Sequence, residues 1–465
     1  MRLSNSNIFL SIILFTAAGV AGIASVWAQE HSPDSFQQDD QVNLRPVISL
    51  LDAYLLAKAI DPELAIAGYE VDGAAARRDE TRGRFFPQVS IFGDWSENKL
   101  RYESDELSSM PSREYPGERY GLQLRSPLFN MRAFREYERQ GALTFQTEEE
   151  LKVAETDLLS RVARAYLTML LTDETVVHLE SELSALEQQL REVDALYARS
   201  LVPVTQVLET QARADTLRAD EIDAKGQAAL ARERLSQIVG TQNPRVKPIA
   251  EHISVMTEVR DADDAAALAR GFDPAVAAAE QALRAAEKSV AREKGSWWPE
   301  VDFVYVSQYS DVGFDNLTSP PRSSESYSVS LRYPIFQGGA GSARLRGAWA
   351  EVYSARQKLE AVNRESSSRA REAWINFETA SGRLIAARKA TQTAEVTLDA
   401  SRKAARAGTA RVSDVLLALA RNTRTQRDLS EAKFQKAMAW LEVELATGTN
   451  PATLAPILSR ALHGQ

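Results

Sequence analysis

The sequence contains no cysteine among its 465 residues. This absence excludes disulfide bonds, thiolate metal sites, a cysteine nucleophile and a lipid anchor on an N-terminal cysteine. Proline is unevenly spread, with none between Met131 and Val202 or between Ile335 and Asn450. Because proline breaks helix interiors, proline-free stretches of this length permit very long helices.

The sequence also lacks the residue patterns that carry common catalytic chemistry. It contains no phosphate loop, zinc-binding helix motif or nucleophile elbow. The four histidines lie too far apart in sequence to form a recognisable ligand motif: His31, His178, His252 and His463. We therefore expect a protein that is not an enzyme, with no catalytic residue, no cofactor and no metal site.

No stretch of the chain concentrates positive charge. The formal net charge is −9, and Lys and Arg are interleaved with Asp and Glu throughout. A surface for binding phosphate groups is therefore not indicated, and we expect no nucleic-acid partner.

The N-terminus has the features of a secretory signal peptide. Arg2 precedes an apolar stretch over residues 8–20, and Val26-Trp27-Ala28 fits a cleavage site. We expect residues 1–28 to be a signal peptide that exports the chain, followed by a polar segment over residues 29–41. An uncleaved membrane anchor is the alternative. Because no later apolar run reaches about 18 residues, we expect any further membrane crossing to use strands.

Most of the chain consists of two similar halves. Phe85-Phe-Pro-Gln-Val89 recurs 212 residues later, Tyr120-Gly-Leu-Gln-Leu124 recurs 207 residues later, and Val204-Thr-Gln-Val-Leu208 and Gly240 recur 208 residues later. Anchors in the same order indicate an internal repeat. We place the first repeat at residues 42–240 and the second at 261–448, with a linker over residues 241–260 and a C-terminal tail over residues 449–465.

Each repeat contains two stretches in which apolar and polar residues alternate, which is typical of strands with one apolar face. The predicted strands lie at about residues 84–102, 117–128, 297–310 and 326–336. The polar segments at residues 97–118 and 311–325 are predicted to be long exposed loops. A small soluble sheet is the alternative, but export, the absence of a later apolar helix and the long loops favour strands that face lipid.

The alternation assigns individual side chains if the strands cross a membrane. The residues expected to face lipid are Tyr120, Leu122, Leu124, Tyr327, Val329 and Leu331. The residues expected to face the lumen are Arg125 and Arg332.

The remainder of each repeat has a helical pattern. Short helices are predicted to start near Asp61-Pro62 and Asp273-Pro274, because an acidic cap before proline favours a helix start. Long helices over about residues 131–200 and 338–407 would each extend on the order of 100 Å. Return helices are predicted over about residues 204–240 and 412–447. Leucines and a valine between Leu179 and Leu196 recur at coiled-coil spacing.

Three motifs accompany the repeat: Leu201-Val-Pro-Val-Thr-Gln-Val-Leu208, Pro334-Ile-Phe-Gln-Gly-Gly339 and Gly408-Thr-Ala-Arg-Val-Ser-Asp-Val-Leu416. Together with the repeat order they give the chain a resemblance to the TolC group of outer-membrane factors, over about residues 42–449. The resemblance implies an α+β membrane protein of two tandem repeats, each a β-hairpin plus a long antiparallel helical hairpin. It further implies a homotrimer that forms a 12-stranded β-barrel in outer-membrane lipid and an α-helical tunnel in the periplasm of a Gram-negative cell.

The same resemblance implies a function and partners. The trimer would be the passive exit duct of a tripartite efflux or type I secretion system, docked to a periplasmic adaptor (membrane fusion) protein and an inner-membrane transporter. A periplasmic coiled-coil adaptor or scaffold is the alternative. Such an adaptor would have a single helical hairpin flanked by small β-domains, whereas here the strand-plus-hairpin unit occurs twice.

The helix turns are the expected periplasmic tip and adaptor contact. The candidate contact residues are Ser200, Leu201, Val202, Pro203, Thr205, Gln206, Gly408, Thr409, Ala410, Arg411 and Ser413. By resemblance Asp414 is the candidate pore constriction, where three copies would form an acidic ring that attracts cations. The alternative is that Asp414 caps a helix. The positions where relatives carry further gate residues are Gln206, Ala405, Ala410 and Leu417 here, so the family's closed-gate contacts are not carried over.

Overall fold

The computed structural model describes residues 47–100, 113–248, 250, 255, 257–311 and 320–463. The predicted signal peptide over residues 1–28 and the polar segment over residues 29–41 lie outside the described residues, as do the centres of both predicted strand loops. Among the described residues, no helix is both long and apolar enough to cross a membrane.

The first repeat consists of a short strand, two short helices, a β-hairpin and a helical hairpin. In chain order these are β1 (Val47–Ile48), α1 (Leu50–Ile60), α2 (Pro62–Gly83), β2 (Gln88–Leu100), β3 (Arg113–Asn130), α3 (Met131–Tyr197) and α4 (Val204–Val239). The second repeat has the same order. Its elements are β4 (Arg245–Val246), α5 (Ala262–Phe272), α6 (Pro274–Gly295), β5 (Glu300–Asp311), β6 (Arg322–Arg332), α7 (Ala340–Arg406) and α8 (Val412–Ala446), followed by α9 (Pro451–His463).

Aspartates fix the start of the short helices in both repeats. The Leu64 backbone N–H donates to Asp61 Oδ1 at 2.9 Å, and the Ala275 backbone N–H donates to Asp273 Oδ1 at 2.9 Å. Each aspartate precedes a proline, which has no N–H to leave unsatisfied in the first turn. Both aspartates also bind an arginine of the long helix beside them, Arg161 at 3.1 Å and Arg369 at 3.4 Å. The predicted helix starts therefore also position α2 on α3 and α6 on α7.

The long helices α3 and α7 contain 67 residues each. At 1.5 Å per residue this is a length of roughly 100 Å. Each packs antiparallel on its return helix, α4 or α8. The seam is built from the leucine pattern seen in the sequence, because Leu179, Leu186 and Val193 are buried.

The four long strands form one antiparallel sheet in the order β2-β3-β5-β6. The hairpins of the two repeats are joined through β3 and β5, where Leu124 lies opposite Tyr305. Strands β2 and β6 are the two edges, so each has one side without a hydrogen-bonded strand in the described chain. A register shift between Pro127 and Phe129 marks the end of β3 nearest the helices.

The main hydrophobic core lies where the short elements meet the middle of α3 and the ends of α4 and α8. Strand β1 pairs in parallel with β4, and Tyr166 on α3 donates to the Ile48 carbonyl at 3.2 Å. Helix α9 closes this core with Leu454, Leu458 and Leu462, all essentially inaccessible. Its end is held by the Ala250 N–H, which donates to the Leu462 carbonyl at 2.7 Å.

Several predicted boundaries were wrong. Residues 449–465 were predicted to be a tail, but α9 occupies most of them because its leucines recur every four residues on one apolar face. The linker over residues 241–260 contains β4. Residues 113–116 were predicted to be loop but belong to β3, and residues 322–325 were predicted to be loop but belong to β6. Cross-strand ion pairing supports this extension, since Lys99 binds Glu114.

Candidate channel-forming surfaces

One face of the sheet is mainly apolar on all four strands. The register places Val89, Leu124, Tyr305 and Tyr327 in a single row, and residues directly opposite each other share a face. The other rows of this face pair Ile91 with Leu122, Phe303 with Val329, Val301 with Leu331, and Tyr120 with Tyr309; the row of Leu122 continues through the polar Ser307 and Glu325. The structure therefore brings together on one face all six residues predicted to face lipid. Several are widely exposed, including Leu331 at 68% and Val329 at 65%.

The opposite face is polar and carries both arginines predicted to face the lumen. Arg125 Nη2 lies 2.6 Å from Asp302 Oδ2, and Arg119 Nη2 lies 2.8 Å from Asp94 Oδ2. Arg332 ends the same face on β6, where it follows Ser324, Ser326, Ser328 and Ser330 at every second position. The residues that broke the alternation in the sequence, Phe92, Val304 and Val306, also lie on this face.

The apolar face is bounded at both ends. Away from the helices it gives way to charged residues, including the Lys99–Glu114 pair. At the helical end, exposed aromatic residues lie at or beside the strand ends, with Phe129 and Trp298 in contact at 6.2 Å between ring centres. This aromatic rim consists of Phe86, Phe129, Trp297, Trp298, Tyr333 and Phe336, all at least 38% exposed. An apolar band between an aromatic rim and charged ends is typical of a strand surface that crosses a bilayer.

Both helical hairpins turn through the same motif. At the end of α3 the Leu201 N–H donates to the Leu196 carbonyl at 3.0 Å, and Ser200 has a φ of 60°. At the end of α7 the Thr409 N–H donates to the Ala404 carbonyl at 3.0 Å, and Gly408 has a φ of 74°. These are Schellman C-caps, which need a left-handed residue at the turn. The first repeat uses a serine where the second uses a glycine.

The two turns lie at the same end of the helices. A pocket of about 430 Å³ is lined by Glu192 and Leu196 near the end of α3 and by Ala405, Arg406 and Val415 beside the second turn. The predicted tip residues are mostly exposed, and Leu201, at 66%, places an apolar side chain at the surface. Gln206 differs, because its Oε1 is buried and accepts no hydrogen bond within the described chain.

Asp414 is exposed and lies in the first turn of α8. Its Oδ2 accepts from the Arg411 backbone N–H at 3.0 Å, so the carboxylate caps the helix. The capping role that the sequence offered as an alternative is therefore present. Leu417 lies one helical turn further along and is 71% exposed. A carboxylate at a helix start is also favoured by the helix dipole.

A polar layer that the sequence did not reveal lies between α3 and α8. His178 Nε2 lies 3.4 Å from Ser430 Oγ, and Glu182 is buried beside Thr423, with Arg213 of α4 at 3.7 Å. Burial lowers the pKa of His178, and the cations Arg427 and Lys433 lower it further, while Glu174 raises it. Burial raises the pKa of Glu182. The signal that could have revealed this layer is Glu182 itself, a charged residue between the core positions Leu179 and Leu186.

A second cluster that the sequence did not reveal joins the start of α3, near the sheet, to α6. Glu136 on α3 binds Arg139 at 2.7 Å and Arg292 of α6 at 3.2 Å. Burial raises the pKa of Glu136, but hydrogen bonds from Arg139, Gln140 and Arg292 outweigh it and lower the pKa to about 2. Glu136 and Arg292 are 156 positions apart in sequence, so only the fold brings them together.

Across the part of the chain that the structure describes, no group of three or more His, Asp or Glu side chains is arranged to hold a metal ion.

Comparison with known proteins identifies similar chains. A family model described as "Outer membrane efflux protein" matches residues 53–241 and 266–449, one range in each repeat. The alkaline protease secretion protein AprF of Pseudomonas aeruginosa is 24% identical over 416 residues, which cover 86% of this chain and 84% of AprF. The proteases secretion protein PrtF of Dickeya chrysanthemi is 23% identical over 408 residues, covering 86% of this chain and 88% of PrtF. Among solved structures, the CmeC outer membrane channel of Campylobacter jejuni has the same fold, with a TM-score of 0.75 at 13% identity over 92% of this chain and 94% of CmeC.

Proposed function

The chain belongs to the outer membrane efflux protein family, and on that premise we propose that three copies form a passive exit duct from the periplasm through the outer membrane. The observation that carries the proposal is the sheet, whose apolar face spans all four strands between an aromatic rim and charged ends. The adaptor alternative loses its basis, because the strands of both repeats join in one sheet.

Strand directions explain why more than one copy is needed. Four strands leave β2 and β6 as edges, and an open edge is not tolerated in lipid. Because β2 and β6 run in opposite directions, β6 of one copy can pair antiparallel with β2 of the next. Three copies then close a barrel of 12 strands, with the polar face of each sheet lining the lumen and the apolar face in lipid.

The helices extend the duct into the periplasm. Helix α3 begins at Met131 directly after β3, and α7 begins at Ala340 a short segment after β6 ends at Arg332, so both continue from the end of the sheet that carries the aromatic rim. Signal-peptide export puts the chain in the periplasm before assembly. The hairpin turns around Ser200 and Gly408 then lie at the end far from the outer membrane, where we place the contact with a periplasmic adaptor and, beyond it, an inner-membrane transporter.

At this tip we place Asp414 in the narrow entrance. Its carboxylate is exposed while it caps α8, so capping and lining a pore are compatible. Three copies would form an acidic ring that favours cations over anions. The alanines at positions 405 and 410 and Gln206 cannot supply charged contacts around it, and we expect the closed entrance to be less firmly held than one with such contacts.

The names of the relatives indicate the kind of transport system that this chain serves, but not an individual cargo. AprF and PrtF are named for the secretion of proteases, and CmeC is described as an outer membrane channel. We propose that this chain serves a type I secretion or efflux machine whose energy comes from the inner-membrane transporter.

Fractionation and detergent extraction test the proposal. The protein should sediment with outer membranes on a sucrose gradient and remain a trimer in mild detergent. A soluble periplasmic monomer would contradict it. Photo-crosslinkers at Leu201 and Thr409 should capture an adaptor, and capture only from the strand loops would reverse the orientation.

A further inference from the structure

The internal repeat makes α2 equivalent to α6 and α3 equivalent to α7. The offset is 212 residues for the first pair, as in Asp61 and Asp273, and 208 for the second, as in Arg161 and Arg369. These equivalents make the same Asp–Arg contact, which confirms the alignment in space. The two helices differ in their neighbours. Helix α6 packs on both α3 and α7, whereas α2 packs extensively on α3 alone among the described residues.

The missing neighbour leaves α2 exposed where α6 is buried. Both helices contain 22 residues, but seven are buried in α6 and three in α2. Ala278 and Gly295 are buried in α6, while their equivalents Ile66 and Gly83 are exposed in α2, Ile66 at 58%. The face of α2 that corresponds to the α3 contact of α6 therefore has no cover among the described residues of one chain.

Within one chain, α6 packs on the start of α3, and two features define this contact. Arg292 Nη1 binds Glu136 Oε2 at 3.2 Å. Gly295 lies so close to α3 that a Cβ there would be 3.1 Å from the backbone N and Cα of Arg132. A glycine is needed at this position because two helix backbones approach each other.

The uncovered face has the equivalents of both features. The equivalent of Gly295 is Gly83, which has no atom within 4 Å of a Cβ and no positive φ that would call for glycine. The equivalent of Arg292 is Glu80, and the equivalent of Glu136 on α7 is Arg344. The charges of the ion pair are thus exchanged but remain opposite. No contact within the described part of the chain accounts for this complementarity, since α3 and α6 lie between α2 and α7.

We propose that α2 of one copy packs against the start of α7 of the next copy as α6 packs against α3 within a chain. Glu80 then pairs with Arg344 of the next copy, and Gly83 lies against the backbone around Ala340 of the next copy. The seam rests on the proposed trimer and goes beyond it by naming the helix faces and the ion pair that join the copies.

Glu80 and Arg344 can form this ion pair while they keep the contacts that each makes within its own chain. Arg344 Nη2 donates to Gln337 at 2.6 Å and Arg344 Nε lies 3.4 Å from Glu293, but a guanidinium has five donors. Arg292 likewise binds Glu293 and Glu136 at once. Among the residues that the structure describes, Glu80 is paired with the exposed Arg84 alone, an interaction worth little.

Crosslinking tests the seam, and the absence of cysteine makes the natural chain a clean background. The double variant Glu80→Cys with Arg344→Cys, treated with a short bis-maleimide in outer-membrane vesicles, should give a covalent trimer on a denaturing gel. The matched control Glu136→Cys with Arg292→Cys should link within one chain and run as a monomer. The seam alone is overturned if the protein is trimeric by mass and the control crosslink forms, but positions 80 and 344 give no covalent oligomer. A monomer by mass overturns both the seam and the proposed function.

A charge variant provides a second measurement. Glu80→Lys should lower the temperature at which the detergent-resistant trimer dissociates by several degrees, because it faces Arg344 of the next copy. Asp79→Lys makes the same change in charge on the adjacent, differently directed position and should leave that temperature almost unchanged. Equal shifts in the two variants would overturn the ion pair.

Discussion

Replacing Leu124 with arginine is the sharpest test of the sheet assignment. Leu124 lies in the third of five rows of the apolar face, which runs from the row of Leu331 to the row of Tyr120. Successive rows lie about 7 Å apart along a strand, and a tilt of about 40° reduces the five rows to a height of roughly 20 Å. This is close to the roughly 25 Å of an outer-membrane apolar band. Leu124 is therefore near the middle of the bilayer.

An arginine at that depth on the lipid face costs ~2 to 4 kcal/mol per copy, or roughly 6 to 12 kcal/mol for a trimer. Gln123 is the matched control, because the neighbouring position points to the polar face between Ser90 and Val306. Gln123→Arg should be tolerated, since a lumenal arginine stays in water.

The assay is the fraction of each variant recovered from the outer membrane as a trimer that resists detergent at room temperature. We expect near wild-type recovery for Gln123→Arg and loss of most trimer for Leu124→Arg. Similar losses at the two positions would refute the assignment of faces, and a greater loss for Gln123→Arg would invert it.

Three further predictions concern the helical region. Gly408→Ala should lower the free energy of unfolding by only about 1 kcal/mol, because a φ of 74° is strained for alanine but the space for a Cβ is open. Gly448→Ala should lower it several times more, because its Cβ would overlap the Phe272 carbonyl. Denaturant melts in detergent compare the two variants. Ser200→Gly should stabilise the first turn by about 0.5 to 1 kcal/mol in the same melts, and a loss of stability would contradict the left-handed turn. Burial lowers the pKa of His178, so below about pH 6.5 the folded state binds fewer protons than the unfolded state, and stability should fall as the pH drops. His178→Gln should flatten that part of a thermal-melt pH profile, and an unchanged profile would contradict the buried site.

The repeated architecture could be predicted from the sequence because its signals are local. The alternation around Leu122 and Leu124 identified a strand face, and the structure pairs these residues with apolar partners on the same face. The Asp61-Pro62 and Asp273-Pro274 starts marked α2 and α6 for the same reason, since a cap and its helix are adjacent in sequence. The turns at Ser200 and Gly408 were located by their position in the repeat.

The missed features depend on contacts between distant segments. Strand β3 starts at Arg113, ahead of its apolar rows, and is paired there with β2 through Lys99 and Glu114; its polar residues have no alternation to reveal them. The two-residue strand β4 is too short to carry a pattern. Helix α9 did carry a signal in Leu454, Leu458 and Leu462, but its burial depends on the core formed by α3 and α8.

The candidate site could be predicted only in part, because some of its features are local in sequence and others join distant helices. Sequence placed Asp414 near a turn, and the structure adds that its carboxylate caps α8. The buried layer of His178 and Glu182 joins helices that are far apart in sequence. Only folding shows that these polar side chains meet Ser430 and Thr423.

Planar-bilayer conductance under a salt gradient tests the central claim, a water-filled duct through three copies with Asp414 at its entrance, most directly. The purified trimer should give discrete conductance steps and a reversal potential on the cation-selective side, and Asp414→Asn should move that potential towards zero. Steps with an unchanged reversal potential would remove Asp414 from the pore and leave it as a helix cap. A trimer that inserts into the bilayer and never conducts would contradict the duct itself.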